Sequence, residues 1–122
     1  MTPKMLAKQI AKIANDHKAH DIMVLDLRKL TSFTDYFIIS SGSSDRQVQA
    51  IAMAIRAGIK DKDKGRMPLS DEGVQGGRWA LLDYGDVVTH VFYQEEREYY
   101  QLESLWHDAP RVEIKGVTDS EQ

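Results

Sequence analysis

Trp79-Ala80-Leu81-Leu82-Asp83-Tyr84-Gly85-Asp86-Val87-Val88-Thr89-His90-Val91-Phe92-Tyr93 is the stretch whose reading decides the fold of this chain. Two apolar runs flank Tyr84-Gly85-Asp86, and such runs joined by a glycine-containing pair predict a tight hairpin. With Gly85-Asp86 as the turn pair, Trp79 stands opposite Phe92 and Leu81 opposite His90 on one face. Ala80 then faces Val91, and Leu82 faces Thr89, on the other. Both faces are largely apolar. Either helices cover both, or helices cover one and a partner covers the other.

Upstream, Thr2 and Pro3 predict a helix start, and Leu6, Ile10, Ile13 and Ala14 recur at helical spacing up to about His17. Ile22-Met23-Val24-Leu25 and Tyr36-Phe37-Ile38-Ile39-Ser40 read as buried strands. Ser44 and Gln47 form a capping box for a helix with the stripe Val48, Ile51, Ala52, Ile55 and Ile59. Met67-Pro68-Leu69 is expected as a short edge strand, followed by a loop at Gly73, Gly76 and Gly77. Downstream, Glu95 to Trp106 reads as one helical segment, and the polar tail from Pro110 to Gln122 is expected to be mobile. The result is an α/β fold: a single domain over residues 1–109, with a central mixed sheet of about five strands flanked by helices, and a C-terminal tail over 110–122.

At 122 residues the chain can bury a core without staples, and it contains no cysteine. Its beginning has no signal-peptide pattern and no apolar run approaches a membrane span, so a cytoplasmic, membrane-free protein is expected. The net charge of −3 conceals an asymmetry. Residues 1–66 carry 12 Lys/Arg against 7 Asp/Glu, whereas residues 67–122 carry 4 against 12. The acidic half also holds both tryptophans and four of the five tyrosines. Nucleic-acid readout needs clustered cations. An acidic, aromatic surface suits a basic protein instead, because aromatic side chains dominate interface hot spots.

No catalytic or metal-ligating constellation stands out. Gly42-Ser43-Ser44 lacks the glycine pattern and lysine of a phosphate-binding loop and reads as a helix cap. His17 and His20 beside Asp21 fall short of a metal site's ligand count, and His90 is expected to pack beside Leu81. Asp26, Asp35 and Asp83 sit at strand ends, where carboxylates cap turns. No cofactor and no metal are expected. Partner binding is expected from Trp79, Leu81, Asp83 and Tyr84 on the hairpin and from Tyr99, Tyr100, Leu102, Leu105 and Trp106 downstream. Spacing alone favours a core role for Tyr99 and Leu102 and leaves Trp106 open between core and interface.

Thr34-Asp35-Tyr36-Phe37-Ile38-Ile39, Ser41-Gly42-Ser43-Ser44, Glu72-Gly73, Trp79, Asp83-Tyr84-Gly85-Asp86, His90-Val91-Phe92, Arg97, Tyr99-Tyr100 and Leu102-Glu103-Ser104-Leu105-Trp106 together resemble the ribosomal silencing factor family, also called RsfS or Iojap-like. The resemblance runs from about Leu6 to Asp108 and implies a nucleotidyltransferase-like fold. It further implies a translational repressor that binds the fourteenth protein of the large ribosomal subunit. Bound there, it would block joining of the small subunit under nutrient limitation. Nucleotidyltransferases follow their Gly-Ser turn with a paired-carboxylate strand that holds magnesium. This chain has no such pair, so a non-enzymatic protein is expected. Two other readings stand beside it: a nucleotide-handling enzyme using Gly42-Ser43 with Asp26, Asp35 or Asp83, and a homodimer built through the aromatic face.

Overall fold

Thr2 Oγ1 accepts the Met5 N–H at 3.1 Å, and Pro3 occupies the first helical position, so the first helix begins where its sequence signals a start. The structure is a computed structural model and describes residues 1–117. Its elements are α1 (Pro3–Asp16), β1 (His20–Asp26), β2 (Tyr36–Gly42), α2 (Asp45–Lys62), β3 (Ser70–Glu72), β4 (Trp79–Asp83), β5 (Val87–Tyr93), α3 (Gln94–Tyr100) and α4 (Leu102–Leu105). The five strands lie in the order β1-β2-β5-β4-β3. Only β2 and β5 run parallel; the other neighbours are antiparallel. The sheet is therefore mixed, as expected.

The hairpin pairs in the register read from its sequence: Trp79 with Phe92, Ala80 with Val91, Leu81 with His90 and Leu82 with Thr89. Tyr84 N–H donates to Val87 O at 2.9 Å, which leaves Gly85-Asp86 as the two-residue loop. Gly85 has φ +92°, a conformation that glycine reaches without a Cβ penalty.

The sheet's two faces are covered unequally. On one, the stripes of α1 and α2 (Leu6, Ile10, Ile51, Ile55) pack on Val24, Ile38, Leu82 and Val91 to form the larger core. On the other, Leu25, Leu27, Ile39 and Phe92 form a smaller cluster, roofed by Leu102, Trp106 and Ala109. Every fully buried apolar side chain removed from water contributes about 1.5–3 kcal/mol, so the helical layer supplies most of the stability. No helix among the described residues is long and apolar enough to cross a membrane.

Three expectations need correction. The edge strand is Ser70–Glu72, not Met67-Pro68-Leu69. Pro68 has no N–H to give, and the first ladder-like bond is Leu69 N–H to Asp83 O at 2.7 Å. The segment after β5 is two short helices rather than one, because Gln101 adopts the left-handed region at φ 49° between them. The tail is docked as far as Val117. Asp26 N–H donates to Pro110 O and Val112 N–H to Val24 O, both at 2.8 Å, so the chain runs antiparallel along the free edge of β1. Ile114 and Val117 are buried in the larger core. Residues 118–122 of the expected tail lie outside the described residues.

Candidate functional site

The sheet face opposite α1 and α2 carries a continuous ribbon of rings. Strand parity puts Phe37, His90, Phe92 and Trp79 on this side, and the chain after β5 returns across it with Tyr100 and Trp106. Trp79 packs at 4.7 Å from Phe92 and 4.9 Å from Tyr100 between ring centroids. Phe37 meets His90 edge-on at 4.7 Å and Trp106 at 5.8 Å. Tyr99 extends the ribbon from Tyr100 at 5.0 Å. Phe92 is fully buried, Trp79, Phe37 and Trp106 are half-buried, and Tyr99 is 80% exposed.

His90 is the polar member of this ribbon. Its Nδ1 accepts the Trp79 Nε1–H at 3.0 Å, which leaves the proton of a neutral ring on Nε2. Nε2 is buried without a hydrogen-bond partner. Burial pushes the imidazole pKa down to about 4, so the ring is neutral at physiological pH. A buried neutral histidine locked to a tryptophan is a packing element that orients the indole.

Neither α3, at seven residues, nor α4, at four, is long enough to hold itself as a helix in water. Arg97 ties them down. Its buried guanidinium donates through Nη1 to Asp21 O at 2.7 Å and Ser41 Oγ at 2.8 Å, and through Nε to Glu103 Oε2 at 3.1 Å. One side chain thus joins β1, β2, α3 and α4, and fixes the roof that carries Tyr99, Tyr100, Leu105 and Trp106.

The expected partner-binding residues do not all reach this surface. Trp79 and Leu81 lie half-buried on it, Leu102 and Trp106 contribute one face each, and Tyr99, Tyr100 and Leu105 project outward. Tyr84 does not join them. It is 2% exposed in the core on the helical side, because it closes the hairpin at the parity of Leu82. Arg66 stacks over its ring, and burial raises its phenol pKa to about 12. Asp83 uses Oδ1 to accept the Gly85 N–H at 2.7 Å, the turn-capping role open to a strand-end carboxylate. Phe37 and Arg97 were missed as site residues. The parity of β2 places Phe37 beside Ile39, but its meeting with Trp106 depends on a return path that local sequence does not encode.

The nucleotide-handling arrangement is not assembled. Asp26 pairs with Tyr36 at the start of β2, Asp35 precedes that strand, and Asp83 pairs with Val88 beside it. Gly42 ends the same strand, so Gly42-Ser43 lies roughly 20 Å from all three carboxylates at about 3.3 Å per residue. The Ser43 turn is also filled. Gln47 Oε1 accepts both Ser43 N–H at 2.6 Å and Ser43 Oγ–H at 2.8 Å, while Ser44 Oγ accepts Gln47 N–H. This is the expected capping box, with its return bond moved one residue outward. Asp26 is held by Arg28, whose two guanidinium bonds of 2.9 and 2.7 Å lower its pKa. Among the described residues no three His, Cys, Asp or Glu side chains gather as metal ligands. His17 Nδ1 donates to Ile13 O at 3.0 Å.

Comparison with known proteins agrees with this architecture. A family model described as "Ribosomal silencing factor during starvation" matches residues 1–122, including the segment beyond Asp108 that the sequence motifs did not reach. The Ribosomal silencing factor RsfS of Bacillus subtilis is 44% identical over 116 residues, covering 93% of this chain and 95% of that protein. Its counterpart in Halalkalibacterium halodurans is 39% identical, covering 96% and 98%. The chloroplastic protein Iojap of Arabidopsis thaliana is 38% identical over 88% of this chain and 44% of its own length. Among solved structures, a Chromobacterium violaceum protein superposes with a TM-score of 0.83 at 34% identity, covering 94% of this chain and 93% of that one.

Proposed function

The chain belongs to the RsfS family of ribosomal silencing factors, and from that membership we propose that it represses translation by docking its aromatic face on the large ribosomal subunit. The contact is with the fourteenth protein of that subunit, and the docked domain occupies space the small subunit needs to join. The mechanism is steric and performs no chemistry. It operates wherever ribosomes and this protein share a compartment, the cytoplasm being the expected one.

The observation that carries this reading is the half-exposed ring ribbon on the face that α1 and α2 leave free. A monomer gains little by leaving Tyr99, Tyr100 and Leu105 at 80%, 49% and 74% exposure beside half-buried Trp79 and Trp106. Rigid aromatic side chains lose little entropy when a partner covers them, and Arg97 holds their platform in place. Glu95, Glu96 and Glu98 supply an acidic flank on α3, complementary to a basic ribosomal protein. The test is binding of the isolated bridge protein, free of ribosomal RNA, followed by subunit-joining yield in sucrose gradients. Expected are a stable complex and fewer joined ribosomes. Association only with the small subunit, or association lost on RNase treatment, would refute the reading.

A further inference from the structure

At the back of this roof lies a second feature that docking does not use: a cavity of about 780 Å³. It opens beyond the carboxyl ends of the parallel strands β2 and β5, the position where open α/β sheets bind small molecules. Its volume falls within the range of ligand pockets. Ser41 and Arg97 form its floor, β1 and the docked segment Arg111–Glu113 one wall, and α3 with α4 the other.

The lining carries charge of both signs. Arg97 is 7% exposed and ion-paired through Nε with Glu103, and its Nη1 is engaged, but its Nη2 makes no hydrogen bond among the described residues. Arg111 stands at the mouth without an ion pair among the described residues. Facing them are Asp21, Glu98 and Glu113, whose carboxylates likewise enter no ion pair there. Met23, half-buried on the ring-bearing side of the sheet, adds an apolar surface. Among the described residues, two of the four non-glycine residues with positive φ, Asp21 at 51° and Gln101 at 49°, line this one cavity. Residues held in a sparsely populated backbone region cluster at ligand sites.

We propose that this cavity binds a small zwitterion bearing an α-carboxylate, an α-ammonium and an apolar side chain, that is, a free amino acid or a short peptide. Its carboxylate meets Arg97 Nη2 and Arg111, its ammonium the carboxylates of Asp21, Glu98 or Glu113, and its side chain Met23. The carboxylates disfavour a polyphosphate, which would meet like charge on three sides. The charges disfavour a wholly apolar ligand, which would leave them desolvated and unpaired. The site does not depend on ribosome docking, although a ligand there would sit against the back of the helices that carry Tyr99, Tyr100 and Leu105.

The test is titration of the full-length, isotope-labelled protein, followed by amide NMR, with L-leucine, the dipeptide Leu-Leu, N-acetyl-leucine and leucine methyl ester. Saturable shifts at Asp21, Met23, Arg97, Gln101 and Val112 are expected with leucine or the dipeptide, and the tighter of the two identifies the source. Each blocked compound should bind about tenfold more weakly, the scale of one lost charge-assisted bond. Arg111→Glu and Glu98→Arg, both surface changes, should weaken binding by a similar factor with unchanged thermal unfolding. No saturable shift from either leucine or the dipeptide up to about 10 mM would overturn the proposal. So would equal binding of either blocked compound, or binding unaffected by both substitutions.

Discussion

Trp79 and His90 set the chemistry of the docking face at the scale of single residues. Among the described residues the indole N–H to Nδ1 bond is the one hydrogen bond of either ring, so removing one partner leaves the other unsatisfied. Trp79→Phe keeps a ring and removes the donor; it should lower stability by about 1–3 kcal/mol, the cost of a buried orphaned group. Trp79→Ala also loses packing on Phe92 and Tyr100 and should cost about 3 kcal/mol or more. Read from sequence alone, Trp79→Ala is expected instead to leave the fold nearly intact and to cost about 2 kcal/mol or more of partner binding. A urea series on both variants checks the order.

His90 also gives the protein a pH dependence. Its folded pKa of about 4 lies below the ordinary value of 6.5, so the unfolded chain takes up the proton first. The stabilisation is complete above pH 6.5 and is lost as pH falls through that window toward 4. Between pH 7 and 5 the loss from this residue is about 2 kcal/mol, at 1.36 kcal/mol per unit. Urea midpoints of the wild type and of His90→Phe at the two pH values test this. The wild type should lose more, and equal losses would remove His90 from the account.

At the scale of elements, the two ends of the chain's legibility are the hairpin and the roof. The hairpin register was readable because a two-residue turn fixes which residues face each other, and one slip would invert both faces. The stripes of α1 and α2 were readable because both helices bury one side only. The break at Gln101 was not, since nothing in Tyr99-Tyr100-Gln101-Leu102 forbids a helix; the turn is imposed by Arg97 pulling α3 and α4 onto the sheet. The docked tail was missed because Arg111-Val112-Glu113-Ile114-Lys115 alternates over only two apolar residues, too short a strand pattern to stand out in a polar stretch. Ile114→Ala should therefore cost about 2–4 kcal/mol, a core value that a mobile tail would not give. Gly73→Ala should be still less tolerated for its size. A Cβ there would lie 2.1 Å from Trp79 O, at φ +74°. Thermal unfolding of each variant measures both effects.

For the whole molecule, the division of labour follows from the two sheet faces. The helical layer stabilises the fold, and the face left free presents rings held from behind by a neutral histidine and a buried arginine. Aromatic contacts are not screened by ions, whereas charges at the rim are. Raising salt from about 0.1 to 0.5 M should weaken large-subunit binding several-fold without abolishing it. The most direct test of the central claim is co-sedimentation of purified large subunits with three exposed-site variants, all checked for unchanged unfolding. Tyr99→Ala and Leu105→Asp alter the ring-bearing roof, and Lys8→Glu alters the solvent side of α1 on the opposite layer. The account predicts that both roof variants lose about tenfold or more in affinity, the scale of a hot spot of roughly 2 kcal/mol, while Lys8→Glu sediments as the wild type does. Wild-type binding by both roof variants, with loss confined to Lys8→Glu, would contradict it.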